Sequence, residues 1–126
     1  MNREILYTLI RAGFATKAMK QSIAKNAVFA LWYALGIRKR WPEGEAAIAK
    51  DPLCIYCYCS DVIKGRWPEV EQFMADSETK FKGNWGFHYC FSVLRMKNME
   101  KIQKWIEKHK SKENPLHHLK KPKGNP

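Results

Sequence analysis

Apolar residues recur along this chain at helical rather than strand spacing. Ile5, Leu6, Leu9 and Ile10 mark one face of a segment from Asn2 to Ala12, with Arg3, Thr8 and Arg11 elsewhere on it. Gly13 interrupts this segment, and a second short helix is expected from Thr16 to Ala24. The run from Ala27 to Ile37 is apolar nearly all round, which marks it as the most buried helix of the chain. Asp51-Pro52 places an N-cap before a proline at the first helical position and opens a helix over about 52–63. Gly65 stands where a C-terminal cap belongs. Further helices are expected over about 68–75, around Phe87 to Leu94, and from Met99 to Lys110.

The punctuation between these helices repeats. Arg40-Trp41-Pro42-Glu43 returns as Arg66-Trp67-Pro68-Glu69, with the tryptophans 26 positions apart and a second glutamate after each copy, Glu45 and Glu71. Proline starts a helix at no hydrogen-bonding cost, because the first N–H has no intrahelical partner. It also pushes the preceding residue out of the helical region, so Trp41 and Trp67 are expected as extended corners between helices. Glu43 and Glu69 then fall in the first turn, where the helix dipole favours a negative charge. The fold class that follows is all-α: a small array of antiparallel helix pairs. It comprises a degenerate unit over 1–25, repeats over about 26–50 and 51–76, an insertion over 77–86 and a divergent capping repeat over 87–113.

Asp51-Pro52, Tyr56, Tyr58, the run Asp61-Val62-Ile63-Lys64-Gly65-Arg66-Trp67-Pro68-Glu69, and Glu71 together resemble short tandem helical repeats common in bacteriophage proteins. Those repeats run roughly D-P-x-x-A-Y-x-Y-A-x-x-V-I-x-G-R-W-P-E-A-E. The match is specific over 51–71, good over 26–50 and degenerate on either side. The resemblance implies a helical array of phage or prophage origin and supplies no catalytic residues.

Length and composition fit one small domain: 126 residues, 45% apolar, can bury one modest core. The longest apolar run, Ala27 to Leu35, is too short to span a bilayer, and Arg3, Glu4 and Arg11 spoil a secretory signal. A cytoplasmic, non-membrane protein is expected. The net charge of +11 is bimodal. Residues 1–40 hold eight Lys/Arg against one acid, 41–80 hold four against eight, and 81–126 hold eleven against three. Such basic ends point to a nucleic-acid footprint on the terminal helices.

The candidate phosphate contacts are Arg38, Lys39 and Arg40 at the end of one helix, Lys80 and Lys82 in the insertion, and Lys101, Lys104 and Lys108 on one face of the last helix. Two of these groups also have bland readings. Arg38 to Arg40 would complement a helix dipole. In the insertion, Phe81 and Trp85 either stack on bases or fold back over the end of the array.

Cys54, Cys57, Cys59 and Cys90, with His88, are numerous enough for a zinc site. Their register opposes it, since Cys54 and Cys59 stand where the preceding copy has Phe29 and Ala34, as small hydrophobes on a helix. No metal and no cofactor is expected. No nucleophile, base and orienter fall at catalytic spacing, so an enzyme is not expected. The stretch 114–126, with Pro115, Pro122 and four lysine or histidine neighbours in Lys120-Lys121 and His117-His118, reads as a disordered basic tail. Two functions remain open: a module binding nucleic acid or nucleoprotein, and a module binding a host or virion protein.

Overall fold

The computed structural model describes residues 2–13, 15–80 and 84–111, and for 78–80 the backbone alone. It consists of eight α-helices with no strand among the described residues: α1 (Arg3–Arg11), α2 (Lys17–Ile23), α3 (Ala27–Ile37), α4 (Pro42–Ile48), α5 (Pro52–Tyr58), α6 (Glu71–Lys80), α7 (Trp85–His88) and α8 (Met99–His109). None is long and apolar enough to cross a membrane. Helix starts are closed by side-chain caps. Asn2, Thr16, Asn26, Asp51 and Asn98 each accept a backbone N–H in the first turn of α1, α2, α3, α5 and α8.

Four helices form one row by successive contacts: α1 on α3, α3 on α5, and α5 on α7. The others pack against this row, α4 on α3, α6 on α7 and α8 on α6. α1 and α3 come close where Gly36 lies, since a Cβ there would stand 2.9 Å from Ile10 Cδ1.

α5 and α7 do not end as simple helices. Each continues into a π-helical turn, Cys59–Ile63 and Tyr89–Val93, and the cause is countable in the sequence. From Tyr33 to the left-handed residue that ends α3, Arg38, is five positions; from Tyr58 to Lys64 and from Tyr89 to Arg95 it is six. The extra residue is absorbed by widening one turn, the usual structural outcome of a single insertion in a helix. The same insertion accounts for the tryptophans lying 26 apart while Tyr33 and Tyr58 lie 25 apart.

Several expectations are corrected in detail. The left-handed cap is Lys64, not Gly65: the π turn sets the chain reversal six residues after Tyr58, one short of the glycine. α6 begins with a 3-10 turn (Pro68–Val70) and runs on to Lys80, so part of the expected insertion is helix. α3 is not buried all round. Ala30, Leu31, Tyr33 and Ala34 enter the core, but Val28 is 40% exposed and Phe29, Trp32 and Leu35 are half-buried. Its apolar outer face follows from its place in a row, which covers a helix on its flanks and one side only. The stretch 114–126, Phe81 and Lys82 lie outside the described residues.

Trp41 and Trp67 are corners of nearly identical geometry, φ/ψ −126°/89° and −127°/87°, and both rings are buried. At the first corner Gly44 admits the ring, since a Cβ would stand 2.6 Å from it; at the second, Val70 occupies the equivalent place. Trp67→Ala is expected to destabilise the protein by about 3–5 kcal/mol in urea titration, as a buried aromatic does. An unchanged midpoint would show that the corner contributes no packing.

Candidate nucleic-acid interface

Each tryptophan is the N-cap of the helix that follows, so its backbone N–H has no intrahelical acceptor. The structure satisfies both in the same way. Trp41 N–H donates to the Tyr58 hydroxyl at 2.8 Å, and Trp67 N–H to the Tyr89 hydroxyl at 2.9 Å. Each hydroxyl in turn donates a hydrogen bond to a carboxylate, Tyr58 to Glu45 at 2.6 Å and Tyr89 to Glu71 at 2.8 Å. Each carboxylate is closed by a two-pronged arginine, Arg40 on Glu45 at 2.8 and 3.0 Å, and Arg66 on Glu71 at 3.0 and 2.7 Å. The side chains of Glu45 and Glu71 are only 17% and 4% exposed, so the arginines neutralise charges that water cannot reach well.

The electrostatics follow. The hydrogen bond from Arg40 holds the Glu45 carboxyl below its ordinary range, and the same bond raises Arg40 above its own. The bond to Glu71 likewise raises Arg66. Burial, reinforced by Glu45, pushes the Tyr58 phenol up to about 12, and burial raises Tyr89 as well.

This assigns the glutamates of the repeated motif. Glu43 and Glu69 lie exposed in the first helical turn, whereas Glu45 and Glu71 make the corner. Sequence reasoning missed Tyr58 and Tyr89 as their partners. The five-residue spacing of Arg40 to Glu45 and Arg66 to Glu71 signals only the arginine–glutamate pair, on either side of a helix start.

The candidate phosphate contacts fall into separate groups. Arg38 and Lys39 are exposed in the turn between α3 and α4. Arg40 is committed to Glu45, with its guanidinium carbon 5.7 Å from the Trp67 ring centre. Lys101, Lys104 and Lys108 are exposed on α8, opposite the buried Ile102 and Ile106. α3 packs on α1, α4 and α5, whereas α8 packs on α6 and α7, so the two groups belong to different packing neighbourhoods. Lys80 ends α6, but its side chain and Lys82 lie outside the described residues. Trp85 is half-buried at the start of α7, its ring centre 6.2 Å from that of Tyr56 and packed against the core.

None of the four cysteines forms a disulfide. Cys54, Cys59 and Cys90 are buried and Cys57 is half-buried. Among the described residues no three His, Cys, Asp or Glu side chains are grouped to hold a metal ion. His88 faces the rings of Tyr56, Trp85 and Phe87. Burial pushes the Cys54 and Cys59 thiols up to about 12 and raises Cys57 too, which suppresses the reactive thiolate.

Two outcomes follow. In native protein a thiol reagent is expected to modify Cys57 first, with the other three reacting only on unfolding; four equally fast thiols would contradict this packing. The corner also sets a pH window. Glu45, depressed in the fold, stabilises above the ordinary carboxyl range near pH ~4.3 and loses that contribution as pH falls through its folded value. Tyr58, raised in the fold, stabilises fully below about pH 10 and loses that contribution as pH rises through about 12. Tyr89→Phe strands the Trp67 N–H and removes a donor from Glu71, at a cost of about 1–3 kcal/mol at neutral pH. Tyr58→Phe should shrink the alkaline loss of stability in thermal melts; an unaltered alkaline limb would remove Tyr58 from the account.

No protein-family model matches the chain, and no curated protein and no solved structure shows significant similarity to it.

Proposed function

We propose that this chain is a non-enzymatic helical-repeat binding module, of phage or prophage origin, that holds nucleic acid or nucleoprotein without reading base sequence. The observation that carries the reading is α8. Its outward face bears Lys101, Lys104 and Lys108 at one helical stripe while Ile102 and Ile106 fix the other face in the core. A helix anchored in this way presents cations at fixed positions, as backbone-directed phosphate binding requires. The net charge of +11 adds long-range attraction for a polyanion. The carboxylates of Glu45 and Glu71 are already occupied by Arg40 and Arg66 and offer a polyanion little repulsion. The origin rests on the resemblance of residues 51–71 to phage repeats alone.

A second reading, a docking module for a host or virion protein, draws on a different surface. α3 and α5 carry no Lys, Arg, Asp or Glu, and Val28, Leu53 and Phe91 are 40%, 52% and 48% exposed. Exposed apolar patches of this kind mark protein interfaces.

Fluorescence anisotropy with random 20-mers of RNA and DNA, titrated with salt, separates the two. The nucleic-acid reading expects binding at low salt that is indifferent to sequence and steep in salt. Each duplex phosphate contact contributes a slope of about −0.9, so the triple change of Lys101, Lys104 and Lys108 to Gln should flatten it by up to ~3. Absence of binding to both RNA and DNA at low salt would reject this reading and leave the protein-docking one.

A further inference from the structure

The row of helices α1, α3, α5 and α7 ends with one exposed basic residue per helix: Arg11, Arg38, Lys64 and Arg95. Packing brings these ends side by side. Arg11 and Arg38 line one cavity of about 240 Å³ together with Tyr7, and Lys64 and Arg95 line another of about 300 Å³ with Ser60 and Ser92. The π turns that carry Lys64 and Arg95 contact each other, and the first of them also contacts α3. Among the described residues none of the four cations has a carboxylate partner.

Their backbone is the second observation. Arg38, Lys64 and Arg95 have φ of 60°, 59° and 60°, the left-handed conformation that L side chains avoid and glycine adopts freely. Helix-ending residues of this kind are usually glycine, or asparagine. The chain has a glycine beside one of these positions, Gly65, yet places a long cation at the strained residue itself in all three turns. The helix dipole does not account for this, because a cation anywhere in the last turn would complement it. Strain retained at three equivalent places points to a use for the side chains.

We infer that Arg11, Arg38, Lys64 and Arg95 form a track of phosphate-binding cations along this rim, across which a nucleic-acid backbone lies. This rests on the nucleic-acid reading above and places its main contact on the helix-row rim, with α8 as a separate contribution. Neighbouring helices stand about 8–10 Å apart, so the four cations are spaced at roughly that interval and read backbone charge, not bases. Arg11 is the terminal member, its guanidinium carbon 6.0 Å from the Tyr7 ring centre, and the two hydroxyls of Ser60 and Ser92 add donors to the far cavity.

The test uses the property that makes the rim unusual. Arg38→Gly, Lys64→Gly and Arg95→Gly relieve left-handed strain, so the triple variant is expected to melt no lower than the native protein. Its binding to a fluorescein-labelled dT20 strand, measured by anisotropy across a salt series, should nevertheless weaken at least tenfold at low salt. Each single-strand phosphate contact contributes a slope of about −0.7, so the slope should flatten by about 2. Arg11→Gln added to the triple variant should flatten it further, and dT20 binding by Arg11→Gln alone should fall with the native melt retained. Binding of dT20 that is native-like in the triple glycine variant would overturn the track while leaving the nucleic-acid reading standing. No binding of dT20 or of a 20-base-pair duplex by native protein would overturn both. A lower melting temperature in the triple variant would overturn the strain argument and assign the three cations a structural role.

Discussion

The tyrosine hydroxyl at each tryptophan corner is the contact on which the packing depends. The N-cap position denies the tryptophan N–H any helical acceptor, and burial denies it water. Tyr58 and Tyr89 supply the acceptor and then need an acceptor of their own, which Glu45 and Glu71 provide. A buried carboxylate needs a cation, and the arginine just before each tryptophan is within reach. Each member satisfies the one before it, so the set is stable only when complete. The tyrosines also couple successive corners. Tyr58 places its hydroxyl on the first corner and its ring 5.2 Å from that of Trp67 at the second. Tyr89 does the same between the second corner and Trp105, with ring centres 5.8 Å apart.

The ends of the helix row show how this linkage begins and stops. Tyr33 packs its ring 4.3 Å from Trp41, but Lys20 stands at the position of Glu45, and among the described residues the Tyr33 hydroxyl makes no hydrogen bond. At the other end Lys97, Asn98 and Ile102 stand where Arg66, Trp67 and Glu71 stand in the preceding corner. Residues 103–126 contain no tyrosine that would need a carboxylate there, and Ile102 is buried. Asn98 caps α8 through Lys101 N–H at 3.1 Å, replacing proline geometry with a side-chain acceptor. Each corner acid is thus matched by its own arginine, Glu45 by Arg40 and Glu71 by Arg66.

Much of the architecture was legible in the sequence because helix starts are written locally. Asp51 as a cap, and Pro42, Pro52 and Pro68 at first positions, mark the starts of α4, α5 and the 3-10 turn that leads into α6. The corners at Trp41 and Trp67 followed from the same chemistry. Helix ends were harder. Gly65 attracted the cap assignment because glycine favours left-handed geometry, but the chain reverses at Lys64, six residues after Tyr58. The apolar run of α3 misled in the other direction, since apolarity all round says what a helix tolerates touching, not how many neighbours it has. The tyrosine partners were hidden for a different reason: Tyr58 lies 13 residues from Glu45 and Tyr89 lies 18 from Glu71, pairings that only tertiary packing reveals. Of Arg11, Arg38, Lys64 and Arg95 only Arg38 was singled out from the sequence, because the left-handed conformation at Lys64 and Arg95 has no sequence signature outside glycine and asparagine.

The tyrosine–carboxylate bridge is tested most directly by double-mutant cycles in urea on Tyr58→Phe with Glu45→Gln and on Tyr89→Phe with Glu71→Gln. Each pair in direct contact should show a coupling free energy of about 0.5–3 kcal/mol, with the larger value at the more buried Glu71. Additivity within both pairs, to within about 0.3 kcal/mol, would contradict the account, because the hydroxyls and carboxylates would then stabilise the fold independently of each other.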